Sequence, residues 1–257
     1  MPSPIVSIVI PTRDDNPSTN AYLKQCLKGI ELQTYPADRI EIVIVCVGKE
    51  RSEQRNYGIA RSHGKYVMSL DDDHFLTPTV IEEAVKTLES DSSITFLCVS
   101  NRFPPSHSLL KEVRRIERDI TLKYDYHIAG CFFLKSILPD KPFNESLYAG
   151  EDYELHQRLC AAGYRYRKLE SIAFHLKEPE RLSQVVRQNL YYGAGIRRYL
   201  RPVPGTQVTK LERALSVQPF RLSYLYNLNK FRPTQFLYFL VYQYTRYASA
   251  LIGMVAS

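Results

Sequence analysis

Short, continuous apolar blocks recur along the first half of the chain. Residues 5–11, 40–47, 66–70 and 94–99 are such blocks, and their length and polar flanks predict buried strands. Between them, residues 20–32 carry apolar side chains at helical spacing, at Tyr22, Leu23, Cys26, Leu27 and Ile30, and residues 52–63 and 81–88 also read as helices. Ser52 is placed to cap the second helix, and Thr77-Pro78 to start the third with proline at its first turn. This alternation predicts an α/β fold on a parallel sheet, wound as in nucleotide-binding proteins, with helices on both faces.

The pattern then loosens. Residues 104–123 read as a polar loop leading into a helix, and residues 127–134 as a strand with Gly130 inside it. A glycine there weakens the strand and marks close approach of a ligand or another backbone. Residues 150–163 form a helix with Glu151 and Asp152 in its first turn and Gly163 as its stop. Residues 164–169 and 171–174 read as two short strands ending at His175, and residues 179–200 as a long helix weakened at Gly193 and Gly195. Residues 236–255 are apolar, but Arg246 sits near their middle beside Gln243, Tyr244 and Thr245. A spanning helix of that length carries few charges, so this stretch is expected to lie in a membrane interface instead of crossing the bilayer.

Length and charge sharpen the picture. The 257 residues suffice for one large α/β domain with an appendage, expected as a catalytic domain over residues 1–200 and a helical segment over 201–257. Residues 181–257 hold eleven Lys and Arg against one acid, Glu212, and nine of the 19 tyrosines. A basic, tyrosine-rich tail suits an anionic surface, either membrane or nucleic acid. No helix-turn-helix, zinc-finger or RNA-recognition motif accompanies it, so nucleic acid is not expected. The five cysteines, Cys26, Cys46, Cys98, Cys131 and Cys160, are scattered without a C-x-x-C pair. They are expected to be reduced core residues of a cytoplasmic protein, and with immediate entry into a strand no signal peptide is expected.

The candidate chemistry starts at Leu70-Asp71-Asp72-Asp73, where a strand runs into three carboxylates. Like charges side by side repel unless a cation or a donor-rich ligand sits among them. Alternation along an extended chain would point Asp71 and Asp73 the same way, and a hard divalent ion suits such acids with phosphate oxygens. The alternative is a solvated turn before the next helix. For Glu151 and Asp152 the alternative is simple complementation of the helix dipole.

In order and spacing, these pieces resemble a family 2 glycosyltransferase of the GT-A fold, with its Rossmann-like nucleotide-binding sheet. The resemblance rests on residues 6–12, on residues 55–66 before the acids, on Leu70-Asp71-Asp72-Asp73 as a D-x-D motif, and on Gly130 with Phe132-Phe133 and Phe143-Asn144-Glu145. It rests also on Glu151-Asp152-Tyr153-Glu154-Leu155 as the "ED" helix and on His175 after the last strand. It implies metal-dependent, inverting transfer of one sugar from a nucleotide-diphosphate sugar to an acceptor hydroxyl or phosphate. Mn2+ or Mg2+ would be held by Asp73 with Asp71 and His175, and Asp71 or Asp72 would contact ribose or metal. Asp152 would be the base and Glu151 would orient the acceptor. Donor contacts would come from Pro11, Thr12, Asp14, Arg55, Asp71, Asp72 and Gly130, although a solvated helix face explains Arg55 equally well. His175 has the alternative of an ordinary partly buried histidine. The chain departs from the family at Val45-Cys46-Val47-Gly48, where an acid often meets the nucleobase; this leaves the donor base open. Gln184 and Arg187 match the start of the processive polymerase motif, but its tryptophan is absent, which favours transfer of one sugar. A nucleotidyltransferase would normally show a glycine-rich basic first loop, and Thr12-Arg13-Asp14-Asp15 is acidic. The tail suggests peripheral attachment to the cytoplasmic face of a membrane and an acceptor carried on a polyprenyl phosphate.

Overall fold

The computed structural model describes residues 5–123, 130–147, 149–200 and 226–256. The chain divides into two compact units, one from residues 1–101 and 129–177, the other from residues 102–128 and 178–257.

The first unit holds a seven-stranded sheet, β2-β1-β3-β6-β5-β7-β4. Its strands are β1 (Val6–Pro11), β2 (Ile40–Val45), β3 (Tyr66–Ser69), β4 (His74–Leu76), β5 (Ile94–Arg102), β6 (Phe132–Leu134) and β7 (Arg165–His175). β1 runs parallel to β2 and β3. β6 runs antiparallel to β3 and β5, and β4 antiparallel to β7, so the sheet is mixed where the alternation predicts a parallel one. β2 is an edge strand, which is why Ile42 and Ile44 are exposed despite its largely apolar sequence.

Helices α1 (Ala21–Glu31), α2 (Arg51–Arg61), α3 (Val80–Ser90) and α5 (Glu151–Ala161) cover both faces of this sheet. Side-chain alternation sorts each strand between two cores. Val6, Ile8, Ile10, Tyr66 and Met68 join α1 and α3, whereas Val9 and Val67 join Ile59 of α2 and Leu155 and Leu159 of α5. Gly58 lets α2 lie on β1, since a Cβ there would overlap Val9 Cγ1. Two expected caps serve other ends. Ser52 is buried inside α2 and donates to the Leu147 carbonyl at 2.8 Å, and Thr77 donates to the Ile172 carbonyl at 2.8 Å while α3 begins after Thr79. The two strands expected over 164–174 are one, because the Glu83 carboxylate accepts the N–H groups of Glu170 and Ser171 at 2.8 and 2.9 Å across the expected break. The cysteines divide: Cys26 and Cys98 are buried as expected, Cys131 is half-buried, and Cys46 and Cys160 reach the surface.

The second unit packs α4 (Leu109–Lys123), α6 (Leu182–Tyr199) and α7 (Pro233–Ala256) around Leu110, Val113, Ile116, Val185, Phe239 and Tyr242. α6 runs unbroken through Gly193. That glycine lets α7 cross closely, since a Cβ there would overlap the Ala250 carbonyl, and Gly253 meets the Leu190 carbonyl in the same way. Charges are matched inside. Arg114 pairs with Glu178 at 2.5 Å and donates to the Tyr242 hydroxyl at 2.8 Å, and Arg246 pairs with Glu117 at 2.7 Å. Gln184 accepts the N–H of Glu180 at 2.7 Å and of Arg181 at 3.1 Å, closing the start of α6. No described helix is long and apolar enough to cross a membrane. Residues 201–225, which carry much of the basic tail, lie outside the described residues.

Candidate active site

After β3 the chain does not stay extended. His74 donates its N–H to the Asp71 carbonyl at 3.1 Å, so the three acids occupy a turn and strand alternation does not align them. Each finds its own partner, and their mutual repulsion is relieved one acid at a time. Asp71 Oδ1 takes Arg55 Nη2 at 2.7 Å, and Asp71 Oδ2 lies 3.5 Å from Arg51 Nη1. Burial raises the Asp71 pKa, but the two arginines outweigh it and hold the carboxyl well below the usual range. Asp72 Oδ2 accepts from Thr12 Oγ1 at 2.7 Å and from Asn20 Nδ2 at 3.1 Å. Asn20 also caps α1, its Oδ1 accepting the Leu23 N–H at 3.1 Å.

Asp73 turns the other way. Its Oδ1 lies 3.0 Å from His74 Nδ1 and its Oδ2 lies 3.4 Å from His175 Nε2. Burial works against ionisation of Asp73, yet the two histidines bring its pKa well below the usual range. His74 and His175 are register partners on β4 and β7. Ligand atoms of the three residues lie within 4.8 Å of one another. Asp73 Oδ1 and His74 Nδ1 are buried and have no hydrogen-bond partner despite their proximity. Buried polar atoms left in this way are costly, and a metal ion bound by both would relieve them. One carboxylate with two imidazoles suits a first-row transition ion.

Arg55 links this turn to α5. It is buried, with its guanidinium 5.0 Å from the centre of the Phe143 ring, and Nη1 donates to Glu151 Oε1 at 2.6 Å. A solvated helix face therefore does not describe Arg55, and Glu151 has a partner beyond the helix dipole. Gly150, at φ 79°, turns the chain sharply into α5. Asp152 follows, half-buried, its Oδ1 accepting the Tyr153 N–H at 2.9 Å. Burial and the neighbouring Glu151 charge push its carboxyl up to about 6, although Arg55 pulls it back.

Residues 46–144 match the family model described as glycosyl transferase family 2. That match, over fewer than half of the residues, supports a glycosyltransferase. No curated protein matches this chain in sequence. Among solved structures it is similar to the mannosyltransferase PcManGT from Pyrobaculum calidifontis in complex with GDP-Man and Mn2+, at 13% identity and a TM-score of 0.59, over 98% of this chain and 86% of that one. It is also similar to S. aureus TarS 1-349 in complex with UDP, at 13% identity and a TM-score of 0.49, over 97% of this chain and 89% of that one. The first likeness bears out the GT-A fold.

Of the expected site residues, Arg55, Asp71, Glu151 and Asp152 come together, as do Asp73 and His175. Thr12 and Asp72 join each other beside them. Pro11 closes β1, and the Thr12 backbone is engaged at both ends, its N–H by the Val45 carbonyl at 2.9 Å and its carbonyl by Gln54 Nε2 at 2.8 Å. Asp14 sits in the exposed loop, accepting from Thr19 Oγ1 at 2.6 Å and the Asn16 N–H at 3.1 Å, contacts that lower its pKa. Gly130 precedes β6, and a Cβ there would lie 2.7 Å from Phe96 Cδ2. A ring accounts for that close approach. The part of the expected strand over 127–129 lies outside the described residues. Sequence reasoning missed His74, Arg51 and Asn20. His74 is adjacent to the acids, but only the β4–β7 pairing shows that it meets His175.

Proposed function

We propose that the protein transfers a single sugar from a nucleotide-diphosphate sugar with inversion, using Asp152 as base and a divalent ion at Asp73. The observation that carries this reading is the Arg55 bridge, which unites the Asp71 turn and the first turn of α5 in one charged site. Asp152 takes the proton of the acceptor hydroxyl while its oxygen forms the new bond at the anomeric carbon. The bond from that carbon to the diphosphate oxygen breaks, and its electron pair leaves with the nucleoside diphosphate. A carboxyl near 6 is mostly ionised at neutral pH and well matched to accept a proton. Arg55 ties up Glu151, which leaves Asp152 as the less engaged acid of the pair and Glu151 to orient the acceptor. Asp73, His74 and His175 would hold Mn2+, or less favourably Mg2+, which would neutralise charge developing on the leaving diphosphate. Asp72, Thr12 and Asn20 form a polar group suited to the donor's ribose.

The acceptor in this reading is a sugar or phosphate on a polyprenyl lipid, met at the cytoplasmic face of a membrane to which the enzyme is peripherally attached. The excess of bases over residues 181–257 supports that attachment. Thermal shifts with UDP, GDP and their sugars, each with and without Mn2+, test the donor. A shift of several degrees for one diphosphate that requires Mn2+ is expected, and none for any of them would overturn the reading. Turnover with that donor sugar, lost in Asp152→Asn, tests the chemistry.

A further inference from the structure

α7 presents two unlike faces. Phe239, Tyr242, Gln243, Ser249 and Gly253 are buried in the second unit. On the outer side, Leu237, Tyr244 and Val255 are 66, 78 and 79% exposed, and Val241 and Leu251 lie open between them. With half-exposed Ala248, these positions recur at steps of four and three, so they form one continuous stripe. A helix of 24 residues is about 36 Å long, and an apolar stripe of that length marks an interaction surface.

The helix is not free to reach such a partner by leaving its unit. Its glycine crossing with α6 and the Arg246–Glu117 pair hold it there. The same pair turns toward α4 the one charge that would otherwise oppose burial of α7 in an apolar phase. The partner's chemistry follows from charge. Residues 181–257 carry eleven bases and one acid. Pairing α7 with a second copy would bring two such segments together against their repulsion, whereas an anionic lipid surface complements them.

We propose that α7, while still packed in the second unit, lies flat on an anionic lipid bilayer through Leu237, Val241, Tyr244, Leu251 and Val255. This inference rests on the membrane attachment proposed above. The test is flotation of the full chain with phosphatidylcholine vesicles and with vesicles that also contain phosphatidylglycerol. The wild type and a triple variant, Leu237→Ser with Tyr244→Ser and Leu251→Ser, are compared after circular dichroism and melting establish that both are folded. The wild type should float with the anionic vesicles and less so in high salt. The variant should lose more than about tenfold in partitioning, since three large side chains no longer bury apolar surface in the acyl layer. If both proteins float equally, attachment stands and the α7 face is wrong. If the wild type stays down with both vesicles at low salt, attachment itself fails. A wild-type dimer that becomes a monomer in the triple variant, with no flotation of either, would assign the stripe to a second copy and overturn the proposal.

Discussion

His74 and His175 are direct register partners on antiparallel strands, their ring centroids 4.8 Å apart. The pairing brings both imidazoles to the Asp73 carboxylate, so the metal site proposed above would have two nitrogen ligands. Removing one ligand should weaken Mn2+ binding by at least about tenfold. His74→Ala and Asp73→Ala should both show this in an electron paramagnetic resonance titration of free Mn2+. Mg2+ in equal amount should displace little Mn2+, because imidazole favours transition ions. Unchanged Mn2+ affinity in both variants would remove the metal from this cluster.

Asp152→Asn should lower turnover by about 10^2 to 10^4 while donor affinity holds. In the wild type, the turnover profile should rise through a pH near 6 as Asp152 ionises. Stability responds with the opposite sense. The folded pKa lies above the ordinary 3.8, so between these values the folded chain binds more protons than the unfolded one, and this residue's contribution falls as pH rises. Urea melts of wild type and Asp152→Asn across that window measure the difference; parallel slopes would show that the carboxyl is not so perturbed.

Arg55→Met should be costly, by about 3–5 kcal/mol, because it leaves buried Glu151 without its cation and Asp71 with the more distant Arg51 alone. In whatever fraction folds, Asp152 loses the neighbour that lowers its pKa. The turnover limb should therefore move to higher pH. A limb that stays in place would mean that Arg55 does not act on Asp152.

Gly193→Ala and Gly253→Ala should each destabilise the second unit by at least about 1–3 kcal/mol, the usual cost of overpacking, because each new methyl meets a backbone carbonyl. Chemical denaturation measures it. A neutral result at both positions would show that α6 and α7 do not cross closely there.

Much of this was legible in the chain. Strands β1, β2, β3 and β5 announce themselves because they are continuous apolar runs, and the ends of α5 are marked by Glu151 and Gly163. The cluster of Arg55, Asp71, Glu151 and Asp152 was named by resemblance, but the links among these residues were not visible. β4 was missed because three residues leave no periodicity, and its pairing with β7 depends on tertiary structure. The same gap hid His74. Pairing direction was hidden too, since an apolar run reads alike in a parallel and an antiparallel strand. The role of Arg246 escaped because its partner, Glu117, lies on a different helix far away in sequence.

The β4–β7 pairing also sets an order of events. His74 and His175 are about a hundred residues apart in sequence, and contacts of such separation close late, after their loop entropy has been met. A growing chain would already carry Asp73 and His74 long before it could complete the trio. Capture of an ion by all three would thus coincide with closure of the β4–β7 pair, and metal occupancy would count molecules in which that pair has formed.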